Sequence, residues 1–326
     1  MKQILQRALR VRELPISVFL VLVVLATGST NHAFFTLSSL QDVLLGVGII
    51  ATLAVAQTLV IVMKHIDLSV GSTIGLTAYI LGASSSWGHD IWWGLGVSLS
   101  VGLIVGALNG FMVAYLKLPS LVVTLATLYI VRGVFNEIAG GDTITEDRVP
   151  RAINFLGLNR FYGIPLIFLI AIALMLLVGF VMRRLRAGRD LYAIGSNLQA
   201  AELAGIPVAR RIFGAFLATG AISGLAGVLL LARFNAADAN SGAGLELNVV
   251  AACVVGGVAI AGGVGTVYGA VIGAVLLQTI TLALGALGVA QFWQLTVNGI
   301  LLISAISLDR YLSSRVKATT IMGSSK

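Results

Sequence analysis

The residues of this chain that could do chemistry are few, and none is arranged for bond making. His32, His65 and His89 lie far apart, and the single cysteine, Cys253, sits inside an apolar run. No Ser/His/Asp arrangement and no Cys/His spacing suited to a metal is present, and no glycine-rich loop ends in the Lys-Ser/Thr pair that cradles a phosphate. What remains is polar placement. In Ile66–Gly71 (IDLSVG) an acid, Asp67, stands two residues before Ser69. That spacing suits an acid that caps a helix N-terminus, or a hinge in a discontinuous helix beside a transport path. In GLELN (244–248), Glu246 and Asn248 open another apolar run, where Glu246 would either line an outer mouth or cap a helix in solvent. Elsewhere the apolar runs carry Gln57, Thr58, Tyr79, Asn109, Thr124, Gln278, Thr279, Thr281, Gln294, Thr296 and Asn298. These are neutral amides and hydroxyls. They can bond between helices or line a polar, uncharged path, and such a path suits a neutral solute better than an ion. Of these polar groups, Gln57, Asp67, Ser69, Tyr79, Asn109, Thr124, Glu246, Asn248, Gln278 and Asn298 are the candidate pathway or gate residues.

A second kind of site is the basic island Arg183–Arg211, with arginines at 183, 184, 186, 189, 210 and 211 between two greasy segments. Within it Leu191, Ile194, Leu198 and Ala201 recur every three or four residues, so a short amphipathic helix is expected over 190–206. Gly205 and Pro207 supply its stop. Its small apolar residues and its soft polar face of Asn197, Gln199 and Glu202 favour a protein groove over a lipid surface.

These residues must be positioned by membrane helices. The chain has 326 residues, 58% hydrophobic and only 10% charged, against roughly 25% charged in a soluble domain. The mean hydropathy is +1.01. Ten apolar segments follow one another, at about 15–29, 43–63, 68–86, 91–115, 119–138, 164–182, 212–231, 247–263, 265–288 and 292–308. Most approach the roughly 20 residues that span a bilayer. The first is read as an uncleaved helix, and the glycine-rich eighth as a crossing or a broken, re-entrant element. The expected fold is an all-α polytopic membrane protein of about ten helices in a single transmembrane domain, 1–326. With the N-terminus inside, sixteen of the 21 lysines and arginines fall on the cytoplasmic side and Arg132, Arg148, Arg151, Arg160 and Arg233 on the outer, an asymmetry that puts both termini in the cytoplasm. The outer segments 136–163 and 234–246 are then connectors or docking surfaces.

The stretches HIDLSVGSTIGLTA (65–78), GALNGFMVAYLKLPSLVVTLAT (106–127), GRDLYAIGSNLQAAELAGI (188–206) and GAGLELNVVAACVVGGVAIAGGVGTVYGAVIGAVL (242–276) occur in this order. Over nearly its full length the chain thereby resembles permease subunits of bacterial ABC importers of the ribose, autoinducer-2 and rhamnose type, which are related to branched-chain amino acid permeases. Lys64 and His65 stand where sugar members often have two glycines, so the resemblance does not name the solute.

The resemblance implies a second permease subunit, identical or related, an extracytoplasmic solute-binding protein, and cytoplasmic ATP-binding subunits that carry ATP and Mg. This chain itself is expected to bind no cofactor and no metal, to be no enzyme, and to lie in the bacterial cytoplasmic membrane with lipid around it and no nucleic-acid partner. The ATPase-coupling residues implied are Asp190, Tyr192, Gly195, Asn197, Ala201, Glu202 and Gly205. The alternatives are a branched-chain amino acid permease of the same family and a standalone secondary carrier. A faint internal echo, Asp67-Leu-Ser on a cytoplasmic turn with GALNG (106–110) and Glu246-Leu-Asn on an outer turn with GAVIG (269–273), fits opposite-facing repeats.

Overall fold

A computed structural model of the protein describes residues 13–290 and, beyond them, 293–294, 296–297, 299–300, 303–304 and 307. Its helices are α1 (Glu13–Thr30), α2 (Leu37–Ile61), α3 (Val70–Ala83), α4 (Ile91–Ala114), α5 (Ser120–Ala139), α6 (Arg151–Leu158), α7 (Leu166–Arg184), α8 (Arg186–Ser196), α9 (Leu198–Leu203), α10 (Val208–Phe234), α11 (Leu245–Val255) and α12 (Val267–Ala286). The described residues hold six helices long and apolar enough to cross a membrane: α2, α4, α5, α7, α10 and α12. The chain is an all-α polytopic protein. Its described strands are the two-residue pair β1 (Arg160–Phe161) and β2 (Ile164–Pro165), antiparallel across a turn at Tyr162 and Gly163, both with positive φ.

Local signals set the helix ends. Thr36, Asp90 and Thr266 each accept a backbone N–H two or three residues into the helix they precede. Four of the five prolines, Pro119, Pro150, Pro165 and Pro207, stand immediately before α5, α6, α7 and α10. There proline's fixed φ starts the helix and its missing N–H leaves no bond unmade.

The bundle is built around α2 and α10, whose apolar windows are 89% and 78% buried, against 28% for α5 and α7. Asp42 near the start of α2 lies in electrostatic range of Arg233 near the end of α10, so the two central helices run antiparallel. Around them the packing repeats. Helix α3 packs on α4 as α11 packs on α12; α4 lies against α10 as α12 lies against α2; α3 touches α10 as α11 touches α2. Each half is a long helix, a non-helical linker (62–69 or 235–244) and a short helix. At about 1.5 Å per residue, α3 and α11 are roughly 21 and 16 Å long, too short to cross a hydrocarbon core of about 30 Å. The echo between the Asp67 and Glu246 motifs thus corresponds to two like-built halves.

Glycine permits the closest of these contacts. A Cβ on Gly106 would meet the Phe216 carbonyl at 2.5 Å, and Gly102 and Gly220 face each other's backbone across α4 and α10. Helices that gain little by leaving lipid adhere through such backbone-to-backbone packing.

Two expectations are corrected, for 190–206 and for the Asp67 motif. The segment 190–206 is two helices, broken at Asn197, which ends α8 and whose side chain accepts the Ala200 N–H at 3.0 Å to start α9. The Asp67 motif is not on an outlying turn. The chain turns at Met63 and Lys64, then climbs back, so Asp67 is only 2% exposed, beside Gln57 of α2. Lys64 takes a positive φ of 68° in that turn, a conformation that favours glycine. The eighth segment is helical only over Leu245–Val255 and ends in a loop. The outer segment 136–163 contains α6, which packs on α10, and Ile144 within it pairs with Ala237 of the other outer segment. The tenth apolar segment, 292–308, falls largely outside the described residues.

The glycine contact makes a direct prediction. Gly220→Leu forces α4 and α10 apart, an overpacking that costs at least about 1–3 kcal/mol. It should abolish the monodisperse peak in detergent size-exclusion chromatography, whereas Gly214→Leu, whose Cβ meets nothing within 4 Å, should leave it intact.

Candidate functional site

Five of the sequence-predicted pathway residues converge on one place, the linker between α2 and α3. Gln57 reaches across from α2, its amide donating to the Asp67 carbonyl at 3.2 Å and accepting from the Asp67 N–H at 3.0 Å. The Asp67 carboxylate accepts from the Ser69 N–H at 2.9 Å and from the Ser69 hydroxyl at 2.6 Å. Asn109 of α4 donates to Ser69 Oγ at 2.9 Å and accepts from Thr127 of α5 at 2.6 Å. Thr124 donates to the Ile66 carbonyl at 3.1 Å, and Ser120 Oγ accepts the Ile66 N–H at 3.3 Å. Gln57, Asp67, Ser69, Asn109 and Thr124 are all buried. The expectation of only neutral polar groups inside the bundle therefore needs correction, because Asp67 is an internal carboxylate. Its bonds are spent on the linker backbone and on neighbouring helices, as in a structural tie. Sequence reading missed Thr127 and Ser120; the recurrence of Ser120, Thr124 and Thr127 at i, i+4 and i+7 along one face of α5 was the available signal.

Glu246 neither lines an open mouth nor caps in solvent. Its Oε1 accepts the Gly244 N–H at 3.3 Å, and its Oε2 is buried without a hydrogen bond. A Cβ on Gly71, at the start of α3, would run into that carboxylate. The starts of the two short helices therefore meet here. Arg132 of α5, which the sequence placed simply among outer charges, holds the second linker. Its guanidinium donates to the carbonyls of Ala239 at 2.8 Å, Ser241 at 2.9 Å and Gly71 at 3.4 Å. Tyr79 is separate from both groups, packed between Phe135 and Trp87, with its hydroxyl donating to the Ala139 carbonyl at 3.4 Å.

The remaining described pathway candidates, Asn248 and Gln278, line a cavity of about 530 Å³ between α2, α10, α12 and the 235–244 linker. Arg233 lines it too, and a neighbouring cavity shares Arg233, Gln278 and Thr281. Asn298 lies outside the described residues. On the outer segment, Arg148 pairs with Asp142 at 2.7 Å and holds that exposed carboxyl below its usual range.

At the basic end, α8 and α9 divide the coupling candidates by role. Asp190, Gly195 and Ala201 face inward and are buried. Asp190 accepts from Arg211 at 2.9 Å, and Tyr192 donates to the Gly265 carbonyl at 2.9 Å. Burial raises the Tyr192 phenol further above neutral pH, with Arg183 opposing, so it remains a donor. A Cβ on Gly195 would run into the Val62 carbonyl, which already accepts the Gly263 N–H at 2.8 Å. Thus α8 lies against the end of α2 and against the loop following α11. Asn197, Glu202 and Gly205 face outward, as do Leu198 and Leu203, the latter 90% exposed. Gly205 has a φ of 73°, which lets the chain turn from α9 into Pro207 and α10. Among the described residues no group of histidine, cysteine, aspartate and glutamate could hold a metal ion.

The family described as "Branched-chain amino acid transport system / permease component" matches residues 39–306. The autoinducer 2 import system permease protein LsrC of Klebsiella pneumoniae is 34% identical over 294 residues, covering 90% of this chain and 83% of that protein. The L-arabinose ABC transporter permease protein AraH of Azospirillum brasilense is 34% identical, covering 93% and 89%. The xylose transport system permease protein XylH of Haemophilus influenzae is 32% identical, covering 86% and 91%. No solved structure matches the chain.

The Asp67 tie predicts a stability effect. Asn109→Leu strands buried partners on Ser69 and Thr127, at about 1–3 kcal/mol. The thermal transition of the purified chain should fall by several degrees, whereas Tyr129→Phe on the exposed face of α5 should not shift it.

Proposed function

The chain belongs to the branched-chain amino acid transport system permease family, and from that premise we propose that it is the membrane subunit of an ATP-binding cassette importer that moves a monosaccharide or sugar-like solute inward. The family places it as a multi-pass protein of the bacterial inner membrane. Relatives covering most of both chains are permeases named for autoinducer 2, arabinose and xylose, and that supports the sugar class. The family's own description favours the second reading, a branched-chain amino acid. The relatives are transport subunits rather than enzymes. ATP and Mg would sit on a separate cytoplasmic ATPase, a binding protein would deliver solute to the outer segments, and a second permease, identical or related, would complete the complex. All ten apolar segments would cross, α3 and α11 as half-helices with their linkers, leaving both termini in the cytoplasm.

The observation that carries the reading is the α8–α9 pair on the arginine-rich face. The short helix α9 projects Leu198 and Leu203 into solvent beside Glu202, while α8 is fastened behind it. An exposed leucine on a six-residue helix flanked by arginines suits a hydrophobic groove with an acidic rim. The ATPase would grip α9. Its closure would push α8 against Val62 and Gly265, and so against the 62–69 linker before α3 and the loop after α11, tilting both half-helices together.

The test is co-purification and reconstitution with the ATPase and binding protein. Leu198→Asp and Leu203→Asp should each abolish ATPase capture while the permease folds normally. Tyr192→Phe should retain the ATPase but lower solute moved per ATP hydrolysed. Unchanged capture in the α9 variants would remove the docking role. Uptake of labelled leucine, with no uptake of labelled arabinose, xylose or rhamnose, would replace the sugar reading by the amino acid one.

A further inference from the structure

Polar groups inside this bundle fall into two kinds. Those around Asp67 and those on Arg132 have their hydrogen bonds filled by protein. On the 530 Å³ cavity, Thr281, Ser241 and Asp238 are bonded to protein as well, but three other side chains are not. The Gln278 side chain is buried and the Arg233 and Asn248 side chains are half-buried, yet none of the three makes a side-chain hydrogen bond or an ion pair to the described protein. Asp42 is close enough to attract Arg233 but does not pair with it. Their donors and acceptors are thus free to bond to whatever enters the cavity, and a pocket lined mainly by apolar groups with a few convergent polar ones is the usual form of a small-molecule site.

The shape of the gap is also specific. The Gln278 amide lies across α2 at Gly46, where a Cβ would collide with it, so a glycine opens the space that holds the amide over the cavity. Ile49, Leu230 and Leu277 add apolar lining. Donors and acceptors beside apolar side chains complement a pyranose or furanose ring, which has hydroxyls on its rim and C–H groups on its face. Arg233 presents a planar fork of donors that matches two adjacent hydroxyls, while each amide offers one donor group and one acceptor. Asp42 attracts Arg233 from beside the cavity and Asp238 lines it, so the Arg233 charge is offset, which favours a neutral ligand over an anion. The volume falls within the 300–1,000 Å³ typical of small-molecule sites.

We propose that the cavity between α2, α10, α12 and the 235–244 linker is a saccharide-binding site inside the single permease subunit, with Arg233, Asn248 and Gln278 holding the hydroxyls of a neutral sugar. The inference rests on the sugar-importer reading and deepens it by assigning solute contacts within one subunit. It also makes Arg233 a specificity residue.

The native Cys253 is fully buried, so Thr281→Cys introduces one accessible thiol at the cavity. The full chain in lipid nanodiscs is treated with a membrane-impermeant thiol reagent, alone and with D-ribose, L-rhamnose, D-galactose or L-leucine. At least one saccharide should slow labelling by about tenfold when present at about ten times its dissociation constant. Leucine should not. Adding Gln278→Leu or Arg233→Met should each weaken that protection by about tenfold. A thiol that does not react, labelling that no saccharide slows, or protection unchanged in both variants overturns the proposal. Uptake by the complete importer separates the two levels. Sugar uptake that survives both variants sinks the cavity and leaves the importer reading standing, whereas leucine uptake without sugar uptake sinks the importer's sugar class itself.

Discussion

A backbone carbonyl or N–H inside a bilayer must find its partner within the protein, because the lipid offers none. Helices meet this rule by themselves. This protein breaks helical structure twice inside its bundle, at 62–69 and at 235–244, and those breaks create the two short helices on which its architecture turns. Both breaks survive only because side chains on neighbouring helices take over the bonds. Gln57 and Thr124 serve the first linker, and Arg132 serves the second through the Ala239 and Ser241 carbonyls, reaching Gly71 of α3 as well. The internal charges Asp67 and Arg132 are therefore explained by backbone accounting before any transport role is asked of them.

The second consequence is mechanical. A linker held by side-chain hydrogen bonds is softer than a helix and can be displaced as a unit. The basic face touches the bundle where such displacement would begin. Gly195 of α8 lies on the carbonyl of Val62, and Tyr192 bonds Gly265 in the loop after α11. One rigid strut thus bears on both halves of the fold. The like-built halves make it plausible physics for one push to produce two matched movements, since each short helix packs on the long helix of the other half.

Much of this was legible in the sequence, and what was not has physical reasons. Apolar runs located the helices because burial in lipid is a composition-level demand. The arginines of 183–211 identified one face. The polar residues worth watching were also visible: Gln57, Asp67, Ser69, Asn109 and Thr124 were singled out one by one, and they meet. Their meeting was not readable, since it depends on a chain reversal at Lys64 that only tertiary packing enforces. Asp67 was therefore expected on a turn and is found inside. The break at Asn197 was hidden by apolar spacing that continues through it, although asparagine followed by a helical run is an N-cap pattern. Arg132 and Arg233 were read as outer-loop charges because topology counting assigns a side, not a depth.

The two arginines show why depth matters. Both sit toward the outer part of long helices, and both are drawn into the protein rather than into water. Arg132 is saturated by carbonyls and fixes a linker; Arg233 has an aromatic ring 4.8 Å away, an acid in range and no hydrogen bond to the described residues. The same side chain is structural in one place and available in the other, and the difference lies wholly in whether its donors are occupied. The contrast follows from position along the helix: Arg132 lies where the second linker offers carbonyls, and Arg233 lies one residue before the end of α10, beside a cavity.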